Sequence, residues 1–180
     1  MVDYSLYVVT DAKLSRGWSH RQVVEAAIRG GATIVQYREK SATTLRMVMQ
    51  ALELRELCRT YSVPLIVNDR IDVALAVDAD GVHVGQDDMP ASMARKLIGR
   101  DKILGVSAEN VEQALTAIAD GADYLGVGAI FATATKPDAG KPIGLKGLEK
   151  IVRQSTIPVV GIAGINASNA ASVIRAGASG

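Results

Sequence analysis

Between Pro64 and Pro90 the chain reads as strand, helix, strand. Two β-branched runs, Leu65–Val67 and Val82–Val84, flank a segment in which Ile71, Ala74, Leu75 and Val77 recur at helical spacing. A helix between two strands makes those strands parallel. Each strand then runs into acidic residues, Asn68-Asp69 after the first and Gln86-Asp87-Asp88 after the second. Parallel neighbours lie ~4.8 Å apart, so Asp69 and one of Asp87 or Asp88 are placed to share a cation.

The same alternation extends through the chain. Strands are expected at Leu6–Val9, Ala32–Tyr37, Ile103–Val106, Tyr124–Val127 and Val159–Ile162. Between them lie a helix over Val23–Ile28 that stops at Gly30-Gly31, and a longer one capped by Thr43 or Thr44. The apolar side of the longer helix is read as Leu45, Val48, Met49, Leu52 and Leu57. Further helices start at Pro90 and run through Met93 and Leu97, span Asn110–Ala119 with Val111, Leu115 and Ile118 buried, and cover Leu145–Val152 and Ser168–Arg175. A faint repeat joins helix ends to strands at Gly30-Gly31-Ala32, Ala79-Asp80-Gly81, Gly121-Ala122-Asp123 and Gly177-Ala178. Strict alternation of this kind means a parallel sheet covered by helices.

The fold class expected is therefore α/β, a (β/α)8 TIM barrel. Its eighth strand, announced by Ala176-Gly177-Ala178, and its eighth helix are missing before Gly180. Residues 1–180 form a single domain truncated at its carboxyl end. A doubly wound open sheet is the alternative, but no Gly-rich dinucleotide fingerprint follows any strand.

Composition narrows the function. Net charge is +1, which gives no electrostatic footprint for nucleic acid. No apolar run approaches the roughly 18 residues of a membrane helix. Cys58 is the one cysteine, which suits a reducing, cytoplasmic setting, and Met1 leads straight into a strand-like stretch without a signal peptide. Small-molecule substrates are expected; homo-oligomerisation is left open.

In a barrel the chemistry sits at the carboxyl ends of the strands. In Gln36-Tyr37-Arg38-Glu39-Lys40 the strand period puts Gln36, Arg38 and Lys40 on one face, so two cations and an amide converge on an anion. An isolated Arg-x-Lys would be a solvated strand end, and Asp69 before Ile71 also fits a helix cap. Taken together across one sheet end, these residues suit Mg2+, which needs only one or two carboxylates and takes further ligands from phosphate oxygens. Zinc is disfavoured, because the two histidines, His20 and His83, stand in unrelated contexts. His83, alternating with Val82 and Val84, reads as structural. The loop Ala132–Pro137 offers two hydroxyls and an ammonium to a second anion. Gly161–Asn166 lets backbone N–H groups approach a phosphate before a helix capped by Asn166 or Ser168. No activated nucleophile is visible.

These residues resemble the thiamine-phosphate synthases. The matching stretches are Tyr7–Asp11, Gln36–Lys40, Asn68-Asp69-Arg70, Gly81–Asp88, Gly105-Val106-Ser107, Tyr124–Gly128, Thr133–Pro137 and Gly164-Ile165, in family order over nearly the whole chain. The resemblance implies a (β/α)8 barrel that joins 4-amino-2-methyl-5-(diphosphooxymethyl)pyrimidine to a thiazole phosphate, giving thiamine monophosphate and pyrophosphate. It implies that Gln36, Tyr37, Arg38, Glu39, Lys40, Asn68, Ser107 and Lys136 hold the pyrimidine diphosphate. Asp69 and Asp88 would bind Mg2+, and Thr133, Ala134, Thr135 and Gly164 the thiazole phosphate. Arg38, Lys40, Lys136 and Ser107 carry the catalytic role in a dissociative substitution. Ala129 and Ala132 stand where the family often has proline, and Ala163 where glycine is common. A thiazole-phosphate contact that the family carries at the end of strand eight is missing from these residues. The alternatives are the related thiazole tautomerase, which needs no metal, and a non-catalytic phosphate-binding barrel.

Overall fold

The computed structural model describes residues 2–133, 135 and 140–180. Among the described residues seven strands alternate with seven helices. In chain order they are β1 (Tyr7–Val9), α1 (His20–Arg29), β2 (Ile34–Tyr37), α2 (Thr44–Thr60), β3 (Leu65–Asn68), α3 (Ile71–Ala76) and β4 (Gly81–Val84). There follow α4 (Ala91–Ile98), β5 (Ile103–Ala108), α5 (Val111–Ala119), β6 (Tyr124–Val127), α6 (Gly144–Gln154), β7 (Val159–Gly161) and α7 (Ala170–Arg175). They belong to two compact units, Met1–His83 with Lys96–Ile103, and Val84–Arg95 with Leu104–Gly180.

In the first unit the strands are parallel and paired in chain order. Val9 lies opposite Gln36, Tyr37 opposite Val67, and Asn68 opposite His83. Ile34, Val35, Leu65, Ile66 and Val67 are fully buried, as expected for parallel strands covered on both faces. In the second unit Ser107 pairs with Gly126 and Val127 with Gly161, again parallel. Gly105 is required there: a Cβ would sit 2.1 Å from Cζ of the buried Tyr124 ring. The ladder continues past β7. Ser179 N–H donates to the Val159 carbonyl at 2.7 Å, and Gly161 N–H to the Gly180 carbonyl at 3.0 Å. Ser179-Gly180 thus occupies the position of a further parallel strand.

The helices sit where the alternation predicts, but their inward faces differ from the expectation. In α2, Leu45, Met49 and Leu52 are exposed, and Met47, Ala51, Leu54, Leu57 and Cys58 are buried. Leu75 in α3, Met93 and Leu97 in α4, and Leu115 in α5 are also exposed. Val73, Ala94, Ala114 and Ala117 take the inner positions. Alanine lets a helix lie close to a strand, so small residues mark the inner face. A count of bulky apolar positions selects the wrong stripe.

The caps agree in one case and differ in others. Thr43 caps α2 by accepting from Arg46 N–H, as expected. Asp69 does not cap α3, whose N-cap is Arg70 without a side-chain bond. The last helix starts at Ala170, after Asn169, so neither Asn166 nor Ser168 is its cap.

Candidate active site

Within the first unit, polar groups gather at the carboxyl ends of β1, β2 and β3. Thr10 is buried, and its hydroxyl accepts from Arg38 N–H at 3.1 Å. The Asp11 carboxylate accepts from Arg38 Nη1 at 2.6 Å. Gln36 is buried, with Nε2 donating to the Tyr7 hydroxyl at 3.0 Å. Lys40 Nζ is paired with Asp69 Oδ2, and Asn68 Nδ2 donates to Asp69 Oδ1 at 2.6 Å. Asp69 adopts φ +58, in the left-handed region that Asp tolerates better than most residues, while its own N–H donates to the His83 carbonyl. A backbone outlier at a strand end is the kind of strain that functional positions hold.

The strand period sorts the β2 terminus as expected. Gln36, Arg38 and Lys40 reach across to β1 and β3. Tyr37 and Glu39 turn instead to the helix layer. Tyr37 is fully buried, donates its hydroxyl to Gln50 of α2 at 2.8 Å, and meets the His20 ring edge-on at 5.0 Å. Glu39 accepts from Ser41 N–H, Ala42 N–H and the Ser41 hydroxyl, and lies 3.3 Å from His20 Nε2. Burial pushes the Glu39 carboxyl upward, but those donors outweigh it and hold its pKa down to about 2. Glu39 is therefore an ionised anchor for the turn that carries Lys40. Arg70 donates to Asp72 and to Thr44, tying α3 to α2.

Within the second unit the acidic turn after β4 closes on itself, with Gly85 N–H donating to Asp88 Oδ2 at 2.7 Å. Gln86 Nε2 donates to the Ser107 carbonyl at 2.6 Å, joining that turn to the half-buried end of β5. The segment after β6 is laced to the turn after β7. Ile130 N–H donates to Ile162 O at 2.9 Å and Phe131 N–H to Ala163 O at 3.1 Å. Gly164 (φ +66) allows this approach, since a Cβ would lie 2.6 Å from the Ala132 carbonyl oxygen. Thr133, immediately after, accepts from Thr135 N–H at 3.2 Å. Ala134 and Lys136 lie outside the described residues.

Sequence reasoning places Asp11 at this strand end but pairs it with no residue, and it sets His20 apart from the cluster. A signal was present for Asp11. With Val9 opposite Gln36, the residue two beyond Val9 faces Arg38.

A cleft of about 580 Å3 lies at the other ends of β3 and β4, lined in part by Pro64, Asp80 and Lys102. Its charges are used structurally: Lys102 Nζ bonds Asp78 at 2.6 Å, and Leu65 N–H bonds Asp80 at 2.8 Å. Among the described residues no group of three or more His, Cys, Asp or Glu gathers as a metal centre. A magnesium site needs only one or two carboxylates.

Repeated βα units with paired charges at strand carboxyl ends define an enzyme of the (β/α) barrel class. The thiamine monophosphate synthase family model matches residues 6–180. The thiamine-phosphate synthase of Chloroflexus aurantiacus is 69% identical over 180 residues, covering 100% of this chain and 83% of that protein. That of Moorella thermoacetica is 54% identical over 180 residues, covering 100% and 86%. The solved structure of thiamine phosphate pyrophosphorylase from Pyrococcus furiosus superimposes with a TM-score of 0.91 at 46% identity, covering 99% of this chain and 84% of that one. The chain belongs to the thiamine monophosphate synthase family, whose members are transferases of thiamine biosynthesis. Its fold is the (β/α) barrel, represented by seven βα units.

Proposed function

We propose that the chain joins 4-amino-2-methyl-5-(diphosphooxymethyl)pyrimidine to a thiazole phosphate, releasing thiamine monophosphate and pyrophosphate. The observation that carries this reading is the convergence of Gln36, Arg38, Lys40 and Asn68 with the Asp69 carboxylate at one set of strand ends. Two cations backed by carboxylates, beside two amides, suit a diphosphate. Gln36, Arg38, Lys40, Asn68, Ser107 and Lys136 hold the pyrimidine substrate. Thr133, Ala134, Thr135 and Gly164 hold the thiazole phosphate, beside backbone N–H groups that need no side chain. Tyr37 and Glu39 act from behind, fixing the turn.

Asp69 and Asp88 are the residues for Mg2+. Their hard oxygen donors fit it, and one or two carboxylates are as many as this ion needs from the protein when phosphate oxygens complete its shell. When bound, the ion supplies charge neutralisation to the departing diphosphate. The carbon–oxygen bond to the diphosphate breaks, and its electron pair leaves with pyrophosphate. The thiazole nitrogen then donates its pair to the methylene carbon, and no proton need move. Arg38, Lys40 and Lys136 take up the developing negative charge, and the other residues orient the two substrates. We place the protein in the cytoplasm.

A coupling assay with both substrates, with and without magnesium, tests the proposal. Product that requires the metal, and that falls at least ~100-fold in Asp69→Ala and Asp88→Ala without loss of fold, is the expected result. Isomerised thiazole without metal, or binding of both substrates without turnover, would overturn it.

A further inference from the structure

Thr10 and Asp11 hold Arg38 at two levels. The Thr10 hydroxyl accepts from the Arg38 main-chain N–H, and Thr10 N–H donates to the Gln36 carbonyl at 2.9 Å, so β1 fixes the backbone on both sides of Tyr37. Asp11 fixes the other end. Its Oδ2 accepts from Nη1, while its Oδ1 accepts from Lys13 N–H at 2.9 Å and Leu14 N–H at 3.3 Å. The carboxylate is itself clamped by the turn it closes. Arg38 and Asp11 side chains are 26% and 21% exposed, partly shielded from the water that would weaken a surface pair.

An arginine side chain carries large rotamer entropy, and a bidentate grip on phosphate requires a fixed plane. Asp11 uses only one of the five guanidinium donors. We propose that Asp11 is a positioning residue. It orders the Arg38 guanidinium before substrate arrives, leaving the remaining donors to the diphosphate. This rests on the function proposed above.

The test uses calorimetric titration with inorganic pyrophosphate and the steady-state coupling assay. The variants are Asp11→Ala, Asp11→Asn, Arg38→Met and the Asp11→Ala/Arg38→Met double variant. Asp11→Ala is expected to weaken pyrophosphate binding, and to lower kcat/KM for the pyrimidine diphosphate, by roughly tenfold. Asp11→Asn keeps an acceptor for Lys13 and Leu14, so it preserves the turn and falls between wild type and alanine. In the Arg38→Met background the alanine change should add nothing, which a merely structural role would not produce. Additive losses, or unchanged or tighter pyrophosphate binding in Asp11→Ala, would overturn the inference. A wild type that binds pyrophosphate but forms no product would overturn the coupling function instead, with the binding series still deciding the role of Asp11.

Discussion

Lys40 and Asp69 form an ion pair between the ends of β2 and β3, on the same carboxylate that accepts from Asn68. In the free chain the ammonium therefore competes with any divalent ion for Asp69. Removing it should strengthen metal binding even as it weakens catalysis. With Lys40 about half exposed, the pair is worth at most ~1 kcal/mol. Lys40→Met is thus expected to bind Mg2+ roughly fivefold more tightly by calorimetry without substrate. Arg38→Met, whose partner is Asp11, should change it less.

Glu39 titrates far below the usual carboxylate value of 4.5, at about 2. A depressed folded-state pKa contributes stability that is present above the unfolded value and is lost as pH falls through the folded one. The protein should therefore lose stability between pH 4.5 and pH 2. Glu39 accounts for on the order of 3 kcal/mol of it. Urea unfolding across that range should give a visibly flatter slope for Glu39→Gln.

Gly164→Ala is expected to destabilise the chain by ~2–3 kcal/mol, since the added methyl meets backbone at 2.6 Å and φ is +66. Its neighbour predicts the opposite sign. Ala163 is held at φ +79, so Ala163→Gly should stabilise by ~0.5–1 kcal/mol. Thermal denaturation of both variants checks the pair.

Cys58 is fully buried on α2, and burial, with the nearby Asp80 charge, pushes its thiol up to about 12. Very little thiolate exists at pH 8, so the native protein should resist a thiol reagent that labels it at once in denaturant.

The order of the elements was legible because periodicity switches between 2 and 3.6 along the whole chain, with punctuation at Gly30-Gly31 and Gly121. The division of Gln36, Arg38 and Lys40 from Tyr37 and Glu39 also follows from the strand period. Which helix stripe is buried was not legible. α2 carries bulky apolar residues almost all round, and the inner positions belong partly to Ala51 and Met47. The choice between the two readings weighed for Asp69, helix cap or strand-end charge, was not legible from its neighbours alone. An Asp before a helix has two local uses, and the Lys40 pairing that decides between them comes from a residue 29 positions away.

The stitching of Ile130 and Phe131 to Ile162 and Ala163 runs entirely through main-chain atoms. The spacing between the threonine loop and Gly164 is therefore set by peptide groups, and neither Gly128 nor Gly164 can carry a side chain, since at each a Cβ would lie 2.6 Å from a carbonyl oxygen across the seam. Main-chain atoms gauge that separation, so it depends on the path of the backbone and not on which polar side chains the two loops carry.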